Sequence, residues 1–270
     1  MSFIIGFHPQ EEKNKDIKRK NTQTPKVCAK KSLVKVRFDG VYKEYSYYND
    51  LFDLKVGDLV FVEGCLEDKR GTVTEVSYNF KIKLSDYKRV IAVADTTISG
   101  ELLMTREHFI SFERNTLPFS KISSWFVPPV KEGEEIVESE DDKTFLLRDL
   151  KGLNASLLVF ERGEEYYFHN KVVYLQLDGE QGRAIVQGTR AYVVEFRYKN
   201  GEISKLRCDC FCVGACKHEV AVMLQLTQLL DIMEKDFSDK YNNSNYFSAI
   251  FKPTLFIHSV FSKSKGKIVL

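Results

Sequence analysis

Apolar and polar residues alternate with a period of two near the start of the chain. Val34, Val36 and Phe38 alternate with Lys35 and Arg37, a pattern typical of a strand that buries one face. Further strand-like runs, separated by Gly and Asp residues, lie at 45–47, 54–62, 71–76 and 88–93. Short strands at such close intervals predict a small antiparallel β-barrel over residues 33–112. Near its end, apolar residues at 102–104 and 107–110 predict a short helix.

The second half of the chain changes from strand-like runs to helical spacing. Apolar runs separated by Gly-containing turns lie at 155–160, 172–177 and 184–188. Two further runs, at 191–198 and 203–207, flank Asn200-Gly201, a dipeptide that strongly favours a tight β-hairpin. The hairpin leads into a segment with apolar residues at helical spacing. These predict the inner face of a helix: Val220, Leu224, Thr227, Leu230 and Met233.

Potential metal ligands are concentrated between the predicted hairpin and the predicted helix. Four of the six cysteines and one of the five histidines fall between residues 208 and 218. Zn²⁺ takes four tetrahedral nitrogen and sulfur ligands, and Cys208, Cys210, Cys216 and His218 supply such a set. Cys212 is an alternative ligand in place of Cys208 or Cys210. Because the protein supplies all four ligands, no position remains for a substrate water, so the predicted ion is structural.

The order Cys-x-Cys-x5-Cys-x-His, with Lys217 inside the last pair and an apolar run at 220–224, resembles the SWIM zinc finger. The resemblance extends upstream through residues 162–167, 172–174, 184–189 and 192–196. It implies a β-hairpin followed by a helix, a structural zinc ion, and a role in binding DNA or protein.

The strand-like runs of the first hundred residues carry a second resemblance. Residues 34–36, 45–47, 54–62, 71–73 and 88–93 resemble the 3′-end DNA-binding domain at the N terminus of PriA-type primosomal helicases. The motor of such helicases is not present, since the chain contains no Gly-x-x-x-x-Gly-Lys-Ser/Thr loop. The resemblance implies a module that binds DNA ends; the alternative is a small barrel that packs against its own chain or a partner.

Together these patterns predict an α+β protein, with an N-terminal small antiparallel β-barrel and a C-terminal β-sheet that carries a zinc-stapled ββα finger. The barrel is expected at 33–112 and the finger domain at 144–236. Residues 1–32 are rich in lysine and predict a basic flexible arm. Residues 113–143 combine prolines, aromatic residues and an acidic run at 132–142, and predict a linker. Residues 237–270 form a tail of unassigned role.

Composition limits the classes of function. With 43% hydrophobic and 13% aromatic residues the chain has enough apolar content for folded cores. No apolar run approaches the roughly 18 residues that cross a bilayer, and the N terminus lacks a signal-peptide pattern. Clustered cysteines in such a chain fit a reducing compartment, so we expect a cytoplasmic protein without a membrane partner. The isolated histidines accompany no nucleophile motif, so we expect no enzymatic activity.

These observations predict a zinc-binding, non-enzymatic protein that binds nucleic acid, with DNA, single strands and 3′ ends as candidate ligands. Basic residues beside the predicted strands and the metal site are the expected phosphate contacts: Lys35, Arg37, Lys69, Arg70, Lys205, Arg207 and Lys217. The alternative is an adaptor that binds a helicase or a chromatin- or DNA-remodelling ATPase on another chain. The net charge of only +2 and the acidic linker favour this alternative.

Overall fold

The computed structural model describes residues 2–5, 30–129, 144–212, 214–259 and 264–269. Contacts divide the chain into two units, one formed by residues 5–94 and the other by residues 95–270 together with residues 1–4. Most of the predicted basic arm and the whole acidic run at 132–142 lie outside the described residues. The predicted bounds of the two domains, 33–112 and 144–236, stay predictions.

Period-two alternation builds the sheet of the first unit. Strand β1 (Ser2–Ile5) belongs to the larger sheet of the second unit. The first unit's strands are β2 (Ser32–Phe38), β3 (Glu44–Asn49), β4 (Leu59–Val62), β5 (Gly71–Ser77) and β6 (Val90–Val93). Val34, Val36 and Phe38 are buried and Lys35 and Arg37 are exposed, which confirms the predicted alternation in β2. A short 3-10 helix (Leu84–Asp86) precedes β6.

The five strands form an antiparallel sheet in the order β3-β2-β5-β4-β6. At its two edges, β3 and the start of β6 meet at an isolated bridge between Tyr48 and Arg89. Apart from this single bridge the two edges are not paired in the described residues, so the unit contains a five-stranded antiparallel sheet, and the predicted small barrel is not found as a closed one. Its core contains buried aliphatic side chains from several strands, among them Val34, Val60 and Val73.

A second, larger sheet contains ten strands among the described residues, in the order β1-β15-β7-β8-β14-β10-β11-β12-β13-β9. The strands are β7 (Ser99–Met104), β8 (His108–Ser111), β9 (Phe145–Leu146), β10 (Val172–Asp178), β11 (Gln181–Gln187), β12 (Ala191–Lys199), β13 (Glu202–Cys208), β14 (Tyr246–Phe251) and β15 (Lys265–Val269). From β7 through β13 to β9 the neighbours are antiparallel, and β15 pairs in parallel with β7. The chain is thus α+β with mostly antiparallel sheets.

The helix predicted from the apolar residues at 102–104 and 107–110 is wrong, because these residues lie in β7 and β8. Short apolar runs do not distinguish a strand from a helix by periodicity. Pairing with neighbouring strands decides the outcome, since Leu103 pairs with Ile110 and β8 pairs with β14 on its other side.

The helices are α1 (Phe119–Ser123), α2 (Leu157–Phe168), α3 (Lys217–Asp236), α4 (Ser238–Ser244) and α5 (Lys252–Ser259), with a 3-10 helix at Leu150–Leu153. None of the helices in the described ranges is long and apolar enough to cross a membrane. The strand predicted from the apolar run at 155–160 is wrong, because residues 157–160 begin α2. Ser156 caps the first turn of this helix by accepting a hydrogen bond from the Val159 N–H. In the predicted tail, residues 255–259 lie in α5.

Helix α3 packs on strands β10 to β13 and on α2. It therefore buries residues on more than one of its faces. Val220 and Met233 of the predicted inner face are buried, whereas Leu224, Thr227 and Leu230 are only half-buried. Gly163 allows α2 to approach α3 closely, since a Cβ there would lie 2.4 Å from the Cβ of Val220. The strongly buried residues of α3 include Val222, Met223, Leu226 and Leu229.

Candidate metal centre

The hairpin of β12 and β13 delivers the first potential ligands. Asn200 and Gly201 have φ values of 50° and 86°, as expected of the tight turn that their sequence predicts. The hairpin prediction is confirmed. β13 then runs to Cys208, which lies opposite Val194 of β12. Cys210 follows two residues beyond the strand.

The chain next reverses at Gly214, whose φ of 81° suits a residue without a side chain. Cys216 is the N-cap of α3, and its sulfur accepts a hydrogen bond from the Glu219 N–H at 3.4 Å. Glu219 returns the interaction, because its carboxylate accepts the Cys216 N–H at 2.8 Å. This reciprocal capping box fixes Cys216 and His218 at the start of the helix.

These two segments bring together the four predicted ligands. One ligand atom from each of Cys208, Cys210, Cys216 and His218 lies within 4.8 Å of the others. The His218 Nδ1 atom is 3.6 Å from the Cys208 sulfur and 3.8 Å from the Cys216 sulfur. Zinc–sulfur and zinc–nitrogen bonds of about 2.3 and 2.0 Å at tetrahedral angles place sulfur and nitrogen about 3.6 Å apart. The donor set and its spacing therefore fit a tetrahedral metal ion.

Hydrogen bonding and burial distinguish the three thiols. The pKa of Cys216 is lowered to about 4, first because its sulfur accepts a hydrogen bond from the Cys208 thiol, and further by His218 and the Glu219 N–H. The pKa of Cys208 is raised because this thiol donates that hydrogen bond and because it is partly buried. Burial raises the pKa of Cys210 to about 12. Cys216 is thus the favoured thiolate, and a bound cation favours the thiolate form of every ligating cysteine.

The His218 ring is held by aromatic neighbours. It stacks on Tyr192, with ring centroids 4.1 Å apart, and meets the edge of Tyr166 at 5.5 Å. The ring is buried, and its Nε2 atom has no hydrogen-bond partner among the described residues. With the ring fixed in this way, Nδ1 is the nitrogen directed toward the sulfurs.

Cys212 lies apart from the four clustered donors. Its side chain is exposed, and the group of donor atoms within 4.8 Å of one another does not include it. The alternative in which Cys212 replaces Cys208 or Cys210 is therefore less well supported by the geometry than the four-residue set.

Most of the predicted phosphate contacts are engaged with carboxylates or rings. Lys35 pairs with Glu75 at 2.6 Å, Arg37 with Glu44, and Arg70 with Asp39 at 3.4 Å, all in the first unit. Lys69 is exposed in that unit. In the second unit Arg207 pairs with Glu195, Lys205 is an exposed residue of β13 with a φ of 50°, and Lys217 lies over the Tyr166 ring.

Arg207 belongs to a row of cross-strand ion pairs that we call the charge ladder: Arg183, Glu195 and Arg207, with Glu180, Arg197 and Lys199 beside them. Both Arg183 and Arg207 bind the Glu195 carboxylate, at 3.1 and 2.6 Å. Arg197 and Lys199 bind Glu180, and these hydrogen bonds lower the pKa of that carboxyl. Several ladder residues line a cleft of about 780 Å³ that extends to Cys208.

Sequence reasoning missed two features of the site. The capping box could have been found, because Cys216-x-x-Glu219 follows the spacing of Ser/Thr-x-x-Glu with cysteine as the cap. The role of Arg190 carries no local signal. Its guanidinium donates to the Asp209 carbonyl at 2.7 Å and lies over the rings of Tyr192 and Phe211.

Comparisons of this chain with protein-family models, with curated proteins and with solved structures find no match.

Proposed function

We propose that Cys208, Cys210, Cys216 and His218 bind one structural zinc ion in a finger of the SWIM type. The observation that carries this proposal is that four protein donors from a strand end and a helix start lie within 4.8 Å of one another, at sulfur–nitrogen distances that suit a shared metal ion. Only a loop connects β13 to α3 along the chain. The ion would link the end of β13 directly to the start of α3 through its ligands. Since the protein fills all four positions, the ion has a structural role and no catalytic one.

Metal content tests the ligand set directly. The purified chain should contain one zinc ion, as measured by native mass spectrometry and by elemental analysis. Cys216→Ser should reduce zinc well below one per chain, because it removes the favoured thiolate. Cys65→Ser, which changes an exposed cysteine of the first unit, and Cys212→Ser should both retain full zinc. Full retention in Cys216→Ser, or loss in Cys212→Ser, would contradict the proposed set.

The module around this ion binds nucleic acid in our proposal, without enzymatic activity. Two cations beside the cluster support this: Arg190 and Lys217 lie over aromatic rings, and in the described part of the chain neither forms an ion pair with a carboxylate. Cations that are not neutralised by the protein are the groups that phosphates bind. The resemblances to a zinc finger and to a DNA-end-binding domain point the same way.

Fluorescence anisotropy tests this binding. Labelled single-stranded, duplex and 3′-tailed DNA should be titrated with zinc-loaded protein at several salt concentrations. Binding should weaken steeply with salt, with a slope set by the number of phosphate contacts. A preference for a 3′ tail would support a role of the first unit in recognising DNA ends.

The second candidate function is that of a protein-binding adaptor for a helicase or remodelling ATPase. The observation that favours it is the engagement of Lys35, Arg37, Arg70 and Arg207 with carboxylates, which leaves those cations poorly suited to phosphate. Absence of DNA binding at low salt, in protein that carries one zinc ion, would decide for this candidate.

A further inference from the structure

A phenylalanine beside the metal ligands is almost fully exposed. Phe211 lies between Cys210 and Cys212, and 97% of its surface is accessible. A single exposed apolar side chain needs no explanation by itself. Phe211 is different because its surroundings are organised: the Arg190 guanidinium carbon lies 5.5 Å from its ring centroid and 5.0 Å from that of Tyr192.

Arg190 is held in this position by the backbone. Its Nη2 donates to the Asp209 carbonyl at 2.7 Å, which ties the guanidinium to the loop that carries the first two ligands. The Asp209 carboxylate interacts electrostatically with Arg190 but accepts the Val193 N–H at 2.9 Å. The guanidinium is therefore held within cation–π distance of both ring centroids.

A second cation and ring adjoin the first. Lys217 Nζ lies 4.4 Å from the Tyr166 ring centroid, and Tyr166 and Tyr192 both contact His218. Gly188 lies against both tyrosines, since a Cβ there would be 3.0 Å from the Tyr192 ring and 3.3 Å from the Tyr166 hydroxyl. The five side chains Tyr166, Arg190, Tyr192, Phe211 and Lys217 therefore form one continuous surface, which we call the aromatic patch.

An exposed phenylalanine ring beside two cations that form no ion pair with a carboxylate in the described residues suits one class of ligand. Phosphates bind the cations, and an unpaired base stacks on a ring in a manner that tolerates any base. In a duplex the base faces are already stacked and are not available to Phe211. We propose that the aromatic patch binds single-stranded nucleic acid, with a base stacked on Phe211 and backbone phosphates at Arg190 and Lys217. This inference rests on the proposed nucleic-acid binding and specifies its ligand.

The test uses the full, zinc-loaded chain with a labelled oligo(dT) of about 20 nucleotides and a duplex of the same length. Wild-type protein should bind the single strand more tightly than the duplex. Phe211→Ala should weaken oligo(dT) binding by roughly 5- to 150-fold, the loss of one stacked base. The salt dependence should not change, because no charge is removed.

Arg190→Gln and Lys217→Gln should instead reduce the slope of log K against log salt by about 0.7 each, as expected for single strands. Phe211→Tyr keeps the ring face and should bind as the wild type does, whereas Phe211→Leu keeps apolar volume and should weaken binding as alanine does. Phe168→Ala is the matched control, since Phe168 is 72% exposed and its ring contact is with Tyr167. Unchanged zinc content verifies the fold of each variant.

Two outcomes would overturn the inference in distinguishable ways. If wild type and Phe211→Ala bind oligo(dT) with equal affinity and the binding still depends on salt, base stacking on Phe211 is contradicted. The proposed nucleic-acid binding then still stands. Absence of binding of either probe by the wild type at low salt would remove both proposals together.

Discussion

The aromatic patch and the charge ladder lie near the same metal cluster and use the same side-chain types differently. In the charge ladder, Arg183 and Arg207 share the Glu195 carboxylate, and the three residues lie directly opposite one another on β11, β12 and β13. In the aromatic patch, Arg190 and Lys217 contact rings and a carbonyl. A phosphate that approached the ladder would have to displace a carboxylate, whereas one at the patch would not.

This difference shows that counting basic residues is a poor guide to a nucleic-acid surface. Arg207 was a predicted phosphate contact and Arg190 was not. Arg207 forms an ion pair with Glu195, whereas Arg190 donates to the Asp209 carbonyl and forms no ion pair with a carboxylate in the described residues. Arg207 is neutralised because the strand register places Glu195 of β12 directly opposite it. The charge ladder therefore links neighbouring strands of the sheet, and the aromatic patch is the better candidate for a ligand-binding surface.

Metal removal should separate the two regions most strongly. Chelation by EDTA should lower the free energy of unfolding of the finger by an amount on the order of 10 kcal/mol, as in other structural zinc sites. Hydrogen exchange measured by mass spectrometry should show the largest loss of protection at residues 208–219, which support the patch. The β10–β11 pair, held by backbone hydrogen bonds and the core, should lose less. An equal loss of hydrogen-exchange protection in both segments would contradict the expectation that the ion stabilises residues 208–219 more than the rest of the sheet.

Acid should destabilise the larger sheet through His108, a residue of β8 that belongs neither to the aromatic patch nor to the charge ladder. Burial, aided by the charge of Lys252, lowers the pKa of His108 to about 4. The folded protein favours the neutral His108 ring. The contribution of this ring to the free energy of unfolding is therefore fully present above about pH 6.5 and is lost as the pH falls toward 4. The loss should reach about 3 kcal/mol.

Urea unfolding at pH 7 and pH 4.5 measures this effect. His108→Phe should reduce the difference between the two pH values by about 3 kcal/mol, whereas His169→Gln, at an exposed histidine, should leave the difference unchanged. An unchanged pH dependence in His108→Phe would assign the acid loss to carboxylates such as those of the ladder.

Packing of α2 on α3 should support the patch and not the ladder. Gly163→Ala would place a methyl group 2.4 Å from Val220 and should destabilise the protein by about 1–3 kcal/mol, because the two helices must separate. Since α2 carries Tyr166 and α3 carries Lys217, oligo(dT) binding should weaken too. Glu165→Ala, at an exposed position of α2, is the control and should change stability by less than about 0.5 kcal/mol. Equal stability of both variants in thermal unfolding would contradict the close contact.

The smallest effect should come from breaking the ladder itself. Glu195→Gln leaves Arg183 and Arg207 without their shared carboxylate and should lower stability by about 1 kcal/mol or less, as for other exposed pairs. DNA binding should become tighter and steeper in its salt dependence, because the negative charge between Arg183 and Arg207 is removed. Glu202→Gln changes the net charge equally and should have a smaller effect on binding. Identical effects of the two substitutions would show that net charge alone matters.

Local signals in the sequence were sufficient for much of the framework. Asn200-Gly201 predicts the hairpin because few residues adopt its positive φ values, and the spacing of Cys208, Cys210, Cys216 and His218 predicts the cluster because zinc demands those donors. The alternation in β2 follows from the pleat of a strand. Short apolar runs were less informative: residues 102–110 and 155–160 were assigned to the wrong element, since their periodicity fits both.

The sequence by itself therefore determined the α+β class, the hairpin that leads into α3, and the four clustered donors of the candidate metal centre, because each depends on residues close together along the chain. Only the tertiary structure decided which cations are neutralised and which contact rings. Arg183, Glu195 and Arg207 are distant in sequence and meet through strand register, and Tyr166 reaches Lys217 because Gly163 lets α2 approach α3. Contacts of this kind depend on how elements pair and pack, which no local pattern encodes.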